Sequence, residues 1–297
     1  MKNILIVIVF FFQIKTFCQE KSYHNYYWNQ QENYEAIIGV KNCYIRENPS
    51  INAQLLDSLQ IGKPIKILKS TDNDLKIKGL NVSWVQIEYV TSLGTIAKGF
   101  LWKGFVAVGF YKDAKYTYLT TIDKVEKKLE PDNYEVNQFS ISVKIIDENN
   151  SILGQKTIQK TIAESYYFQN KTIGNLGLKN LHNIYRISFS GEACGIPTIY
   201  YYFGWTGNEF IELPDKYEVG DAGMYYHSED FVFPKEKGGK PNLIIKQVQD
   251  AVNDDETGEK ETYIFEITKH TETYLWDGHK AIFVSKSKPK KFKRKEN

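Results

Sequence analysis

Residues 37–109 are written in short β-rich runs of about four to seven residues, separated by turn clusters, with no helical period. Tyr44-Ile45-Arg46 runs into Glu47-Asn48-Pro49-Ser50, a turn cluster. Pro64-Ile65-Lys66-Ile67-Leu68 alternates, a polar stretch over 70–74 breaks the pattern, and 82–89 alternates again around Trp84. Phe100-Leu101-Trp102 and Phe105-Val106-Ala107-Val108 close the unit, with core positions at Ile45, Leu56, Ile65, Ile67, Val85, Ile87 and Val106. Five such strands in about 75 residues describe a small β-barrel. Composition agrees: 21 Tyr, 17 Phe and 5 Trp against 2 Met lean toward strands and exposed aromatic surfaces. A length of 297 residues suits roughly two domains.

The remaining two thirds also reads as β structure. Residues 139–146 alternate, and Asp147-Glu148-Asn149-Asn150-Ser151 is a turn before Ile152-Leu153, which predicts a hairpin. Residues 174–183, rich in Gly and Asn, are a connector. Two later segments then resemble each other. In each, two strand-like runs precede a Trp-x-Gly turn (Trp205-Thr206-Gly207 and Trp276-Asp277-Gly278) and a closing apolar strand. The unit is weakly similar to blade-like repeats of secreted β-propellers, but two copies cannot close a propeller, and two ordinary meanders would look the same. The expected fold class is therefore all-β: a small barrel over 37–109 and a mostly antiparallel β domain over 112–284.

The first eighteen residues read as a signal peptide. Lys2 precedes an apolar run over 4–12, too short to span a bilayer. Thr16 and Cys18 place cleavage before Gln19, and Lys15 and Phe17 break a lipobox. The expectation is a secreted or periplasmic chain with no stable membrane anchor, followed by an aromatic lead-in over 19–36. Two cysteines remain, Cys43 and Cys194, both flanked by strand-like sequence; buried apolar roles fit them better than a disulfide. At the other end, 285–297 carries Lys286, Lys288, Lys290, Lys291, Lys293, Arg294 and Lys295 against Glu296, and is expected to be a disordered basic tail with a salt-sensitive pull toward anionic surfaces.

The order of features in the barrel carries a resemblance. Cys43-Tyr44-Ile45-Arg46-Glu47-Asn48-Pro49-Ser50 resembles the L-N-V-R-x-x-P-S opening of bacterial SH3-like (SH3b) domains. Leu56 and Leu59 before Gly62, then Ile65-Lys66-Ile67-Leu68, Trp84-Val85-Gln86-Ile87 and Lys98-Gly99-Phe100-Leu101, follow in family order. The loop over 71–83 is longer than usual, and Phe100 stands where the family has Trp. The resemblance implies binding of a cell-wall peptide or glycan, or of another extended protein segment. So small a barrel has no interior cavity, so the ligand lies in an external groove. The candidate contact residues are Tyr44, Arg46, Trp84, Phe100 and Trp102. Trp84 and Phe100 also fit a barrel core, and Arg46 also fits a turn anchor.

Chemistry-bearing motifs are missing. Lys+Arg 38 against Asp+Glu 36 gives no general reason to invoke nucleic acid. No Cys-x-x-Cys or His-x-x-x-His marks a metal site, and the acidic loop over 250–259 lacks EF-hand spacing. Cys194-Gly195 superficially resembles the nucleophile region of NlpC-type peptidases, but Pro197 and a β-rich run follow it, where that chemistry needs a helix N-terminus. No Gly-x-Ser-x-Gly, P-loop or dinucleotide turn is present. The expectation is a non-enzymatic binding protein with no catalytic residues, metal or cofactor. Two alternatives are a cell-wall hydrolase or peptidase with an unrecognised catalytic domain over 112–284, and a protein-interaction or inhibitor module.

Overall fold

The computed structural model describes residues 23–296, except 163–164, 192, 222 and 254–262. Residues 1–18, expected from the sequence to be a signal peptide, Thr16 and Cys18 included, and most of the acidic loop lie outside the described residues.

The molecule is all-β and antiparallel throughout. The first sheet holds β1 (Tyr34–Ile37), β2 (Asn42–Arg46), β3 (Leu55–Gln60), β4 (Pro64–Ile77), β5 (Leu80–Val90) and β6 (Ile96–Trp102). Their order is β1-β4-β5-β6-β2-β3. The second is a four-stranded meander of β7 (Gly109–Lys112), β8 (Thr117–Leu129), β9 (Glu135–Ile146) and β10 (Ile152–Lys160). The third, ten-stranded, holds β11 (Tyr167–Thr172), β12 (Asn183–Ser190), β13 (Thr198–Trp205), β14 (Phe210–Glu212), β15 (Lys216–Asp221), β16 (Tyr225–Val232), β17 (Leu243–Asn253), β18 (Tyr263–Trp276), β19 (Ala281–Lys286) and β20 (Lys290–Glu296).

The stretch over 71–83, expected as a loop, is instead the far half of the β4–β5 hairpin. Lys78 and Gly79, with φ of 50° and 78°, make its two-residue turn, as a hairpin of this twist requires. A Cβ on Gly79 would fall 1.9 Å from the Val125 carbonyl oxygen, so close docking of the tip onto β8 needs glycine there.

The lead-in is not a tether. A 3-10 turn over Tyr23–Tyr27 sets His24 and Tyr27 into the seam between the sheets, while Tyr26 stays half exposed. Tyr27 is 2% exposed, packs edge-on against Phe139 at 5.1 Å, and donates its hydroxyl to the Ile162 carbonyl. Trp28 donates Nε1 to the Val106 carbonyl at 2.9 Å. Asn25 accepts from the Ser83 backbone N–H, and His24 Nδ1 accepts from that of Asn81. Tyr34–Ile37 then adds a strand to the barrel sheet. Buried Lys103, its ammonium pushed down to about 8 by desolvation, reaches the Asn29 carbonyl at 3.4 Å.

The hydrophobic core does not stop near residue 109. One buried cluster joins Ile45, Val85 and Trp102 of the barrel to Phe139 and Val143 of the second sheet and to Tyr185 and Phe203 of the third. The buried Lys144 ammonium fastens the same seam, donating to the Gly39 carbonyl at 2.8 Å and to Thr121 Oγ1 at 2.9 Å.

The two similar segments do form like meanders, β12–β14 and β17–β19. Each has a buried Trp and a positive-φ Gly: Gly207 at 106° and Gly278 at 101°. Both belong to one sheet, joined through β15 and β16, so they are not separate blades. Both turns pack on the connector: a Cβ on Gly207 would meet His182, and one on Gly278 would meet Asn180. The basic tail is also ordered, contrary to expectation. Residues Lys290–Glu296 pair with β18, and Lys291 bridges Glu266 at 3.1 Å. Backbone pairing, with Glu266 opposite Lys293 and bridged to Lys291, offsets the self-repulsion that composition alone emphasises.

Two measurements test the seam. Tyr27→Ala is expected to lower unfolding free energy by about 3–5 kcal/mol in urea titration, and the fragment 37–109 is expected to show no cooperative transition, because it lacks β1, Tyr27 and Trp28. Burial, followed by the charges of Lys76 and Lys127, pushes the His24 imidazole down from 6.5 to about 4. The unfolded chain therefore takes up its proton first. This contribution is complete above pH 6.5 and is lost as pH falls toward 4, by about 1–2 kcal/mol, and His24→Gln should flatten that limb.

Candidate functional site

Strand register brings all five sequence candidates to one face of the first sheet. Trp84 lies opposite Trp102, and Phe100 opposite Arg46. Tyr44 is two residues before Arg46 on β2, hence on the same side. The opposite face, with Ile45, Val85, Ile87 and Leu101, is the core.

Only part of the candidate face is open. Trp84 is 5% and Trp102 4% exposed, because the β4–β5 hairpin folds over them. Trp102 Nε1 donates to the Leu75 carbonyl at 2.8 Å, and Phe105 packs edge-on against its ring at 5.1 Å. Both tryptophans are therefore core residues, and the expectation of ligand contact through them is corrected. Phe100 is half-buried. Arg46 Nη1 donates to the Ala53 carbonyl at 2.7 Å and so anchors the turn after β2. Tyr44 stands out at 50% exposed.

Beside Tyr44 lies an apolar strip of Ile51, Leu55 and Leu56, each about half exposed. Leu56 reads as core in the sequence. The pairing shifts between Ile45↔Asp57 and Arg46↔Leu55, which leaves Leu56 as the extra residue of a β-bulge, 45% exposed at the rim of the core near Gly99 and Ile45. No alternation pattern reveals such a bulge.

β3 ends the sheet: it pairs with β2 and with no other strand among the described residues. Its free edge borders a groove of about 620 Å³ whose other wall is the turn between β9 and β10. Asp57, Ser58 and Gln60 face Asn149, Asn150 and Ser151, with Lys41 and Lys63 also lining it. Among the described residues neither lysine has an ion-pair partner. This arrangement presents unpaired backbone groups, polar side chains and two free cations along one line. None of the edge-groove residues was a sequence candidate, since the wall comes from a turn some 90 residues further on. The signal available was the polar 147–151 turn.

A second concentration of charge lies across the third sheet. His227 Nδ1 is hydrogen-bonded to Asp250 at 2.7 Å, and its ring stacks on Tyr217 at 4.2 Å. Lys246, 8% exposed, sits 3.2 Å from Glu229 and 3.8 Å from Glu272. Desolvation raises the Glu272 carboxyl, but the Tyr274 hydroxyl and the charges of Lys246, Lys286 and His270 outweigh it and hold it below the usual range. These groups pair with one another as a ladder, with His227 Nε2 3.5 Å from Glu229 and making no hydrogen bond among the described residues. Among the described residues no three His, Cys, Asp or Glu side chains gather as a metal site.

Among the described residues Cys43 and Cys194 are free. Cys43 is buried, its thiol pushed up to about 12 by desolvation. Cys194, expected to be buried, is exposed in a turn before β13, because the strand that would cover it begins only at Thr198.

No family model, curated protein or solved structure matches the chain.

Two comparisons check this geometry. Trp102→Ala should cost about 3–5 kcal/mol of stability and Tyr44→Ala at most about 0.5 kcal/mol, both read in urea. Lys246→Met, which strands Glu229 and Glu272, should destabilise by about 3–5 kcal/mol at pH 7, with part of the loss recovered in Lys246→Met/Glu229→Gln.

Proposed function

We propose that this is an exported, non-enzymatic binding protein whose SH3-like module takes an extended chain, a cell-wall stem peptide or a similar segment, along the free edge of β3. The observation that carries this reading is the unpaired edge strand set in a groove. An incoming extended backbone would supply the hydrogen bonds that β3 lacks on that side. Lys41 and Lys63 would hold a carboxylate of the ligand, Tyr44 and Leu55 would receive apolar side chains on the outer face, and the half-exposed Ile51 and Leu56 would add apolar surface at its rim. Its lining mixes hydroxyls and amides (Ser58, Gln60, Asn149, Ser151) with apolar side chains (Leu59, Ile61, Val90, Ile152) and, among the described residues, sets no nucleophile beside a base. That favours recognition without turnover and weighs against the hydrolase alternative.

The test uses the chain from residue 19 onward, with purified peptidoglycan and with a synthetic stem peptide bearing a free carboxylate. Binding is expected to both, with no release of soluble fragments over hours. Lys41→Gln/Lys63→Gln should weaken peptide binding about tenfold, roughly 1.4 kcal/mol, and Leu56→Asp by a similar factor, with the fold retained by circular dichroism. Binding indifferent to all three substitutions would move the site elsewhere. Fragment release would restore the hydrolase reading.

A further inference from the structure

The ordered basic strand has a consequence beyond the barrel. Its first lysine, Lys290, and Lys288 just before it complete one rim of a second groove on the face of the third sheet opposite the charge ladder. The floor is a grid set by register. Asp230 lies opposite Gln247, and Gln247 opposite Thr271. In the next row Ser228 lies opposite Gln249, Gln249 opposite Lys269, and Lys269 opposite Lys290. Ser287 and Lys288, in the kink between β19 and β20, close one end, and the groove encloses about 620 Å³.

Three properties of this groove select its ligand. The first is charge. Lys269, Lys288 and Lys290 line it, and among the described residues none of them has an ion-pair partner. The one carboxylate in the lining, Asp230, is already paired with Lys216 at 3.0 Å. The groove is therefore net cationic although the chain as a whole is close to neutral. The second is the lack of a free backbone edge. β18 is paired on both sides, and at the kink Ser287 N–H donates to the Thr271 carbonyl at 2.8 Å while Thr271 N–H donates to Ser287 Oγ at 2.9 Å. A peptide strand cannot add here, so recognition rests on side chains. The third is the chemistry of those side chains. Hydroxyls and primary amides both donate and accept, which matches sugar hydroxyls. The exposed aromatic nearby, Phe292, already carries the Lys269 ammonium over its ring at 5.6 Å, so it offers no free platform for a nucleobase. Lysines on flexible stems suit anionic groups spaced along a chain better than a single bidentate phosphate.

We infer that this groove binds an acidic polysaccharide, a glycan whose sugar units carry carboxylate or sulfate groups: the lysines neutralise the anions and Ser228, Gln247, Thr271 and Ser287 take the hydroxyls. The site is separate from the β3 edge and does not depend on it.

The test titrates the chain from residue 19 onward with polygalacturonate for the carboxylate source, dextran sulfate for the sulfate source, neutral dextran and inorganic polyphosphate, at about 0.05 and 0.5 M salt, where the Debye length falls from roughly 14 to 4 Å. At least one acidic glycan is expected to bind, neutral dextran not to bind, and the preferred glycan names the anionic group. Lys269→Gln/Lys288→Gln/Lys290→Gln should weaken that binding at least tenfold at low salt, with circular dichroism unchanged. Gln247→Ala should weaken the glycan severalfold while leaving polyphosphate unmoved, and Lys41→Gln/Lys63→Gln should leave glycan binding intact. Polyphosphate binding as tightly as either glycan, with Gln247→Ala silent, would reduce the groove to an unselective cationic patch and overturn the inference. So would the absence of binding to both glycans, or binding that survives the triple substitution.

Discussion

The burial of Tyr27 in the seam between the first two sheets is the contact on which the remaining architecture depends. Its ring meets Phe139 of the second sheet, Tyr166 and Phe189, while its hydroxyl ends on the Ile162 carbonyl. Around it, Trp28 and His24 tie the barrel's own backbone to the same segment. The barrel is thus one layer of a longer core, with a continuous apolar cluster passing through all three sheets. Small barrels bury too little surface to be strongly stable alone, and here the second sheet and the lead-in supply the difference.

That seam also decides which part of the first sheet stays open. The β4–β5 hairpin bends over Trp84 and Trp102 because its tip docks on β8, so the widest aromatic surface of the barrel is consumed by packing. What stays open is the far side: Tyr44, the bulged Leu56 and the unpaired edge of β3. The turn between β9 and β10 stands against that edge and makes a groove of it. An open edge is a hazard in a soluble protein unless it is short, flanked by charge or used. β3 is six residues long and has Lys41 and Lys63 beside it.

The third sheet separates its charges by face. His227, Asp250, Glu229, Lys246 and Glu272 compensate one another on one side, where burial makes an unpaired charge expensive. On the other side the β20 strand and its neighbours leave lysines exposed above hydroxyls and amides. Period-two alternation along β16, β17 and β18 places these two chemistries back to back within the same strands.

The sequence by itself determined the all-β class, the strand-and-turn rhythm of the barrel, the 147–151 hairpin turn and the paired Trp-x-Gly turns. Each is local, set by alternation or by a turn residue that tolerates positive φ. It also put Tyr44 among the candidate contact residues and allowed Arg46 its anchoring role. Tertiary structure alone decided the rest. Trp84 and Trp102 look the same as Tyr44 in a linear pattern, and only the fold of the hairpin over them makes them core. The lead-in has no period because its aromatics enter a seam between layers, not one face of an element. The basic tail becomes a strand because β18 offers it a partner, with Glu266 opposite Lys293 and ion-paired to Lys291. Both grooves are built from residues far apart in the chain, and composition carries no record of which distant turn will stand beside which edge.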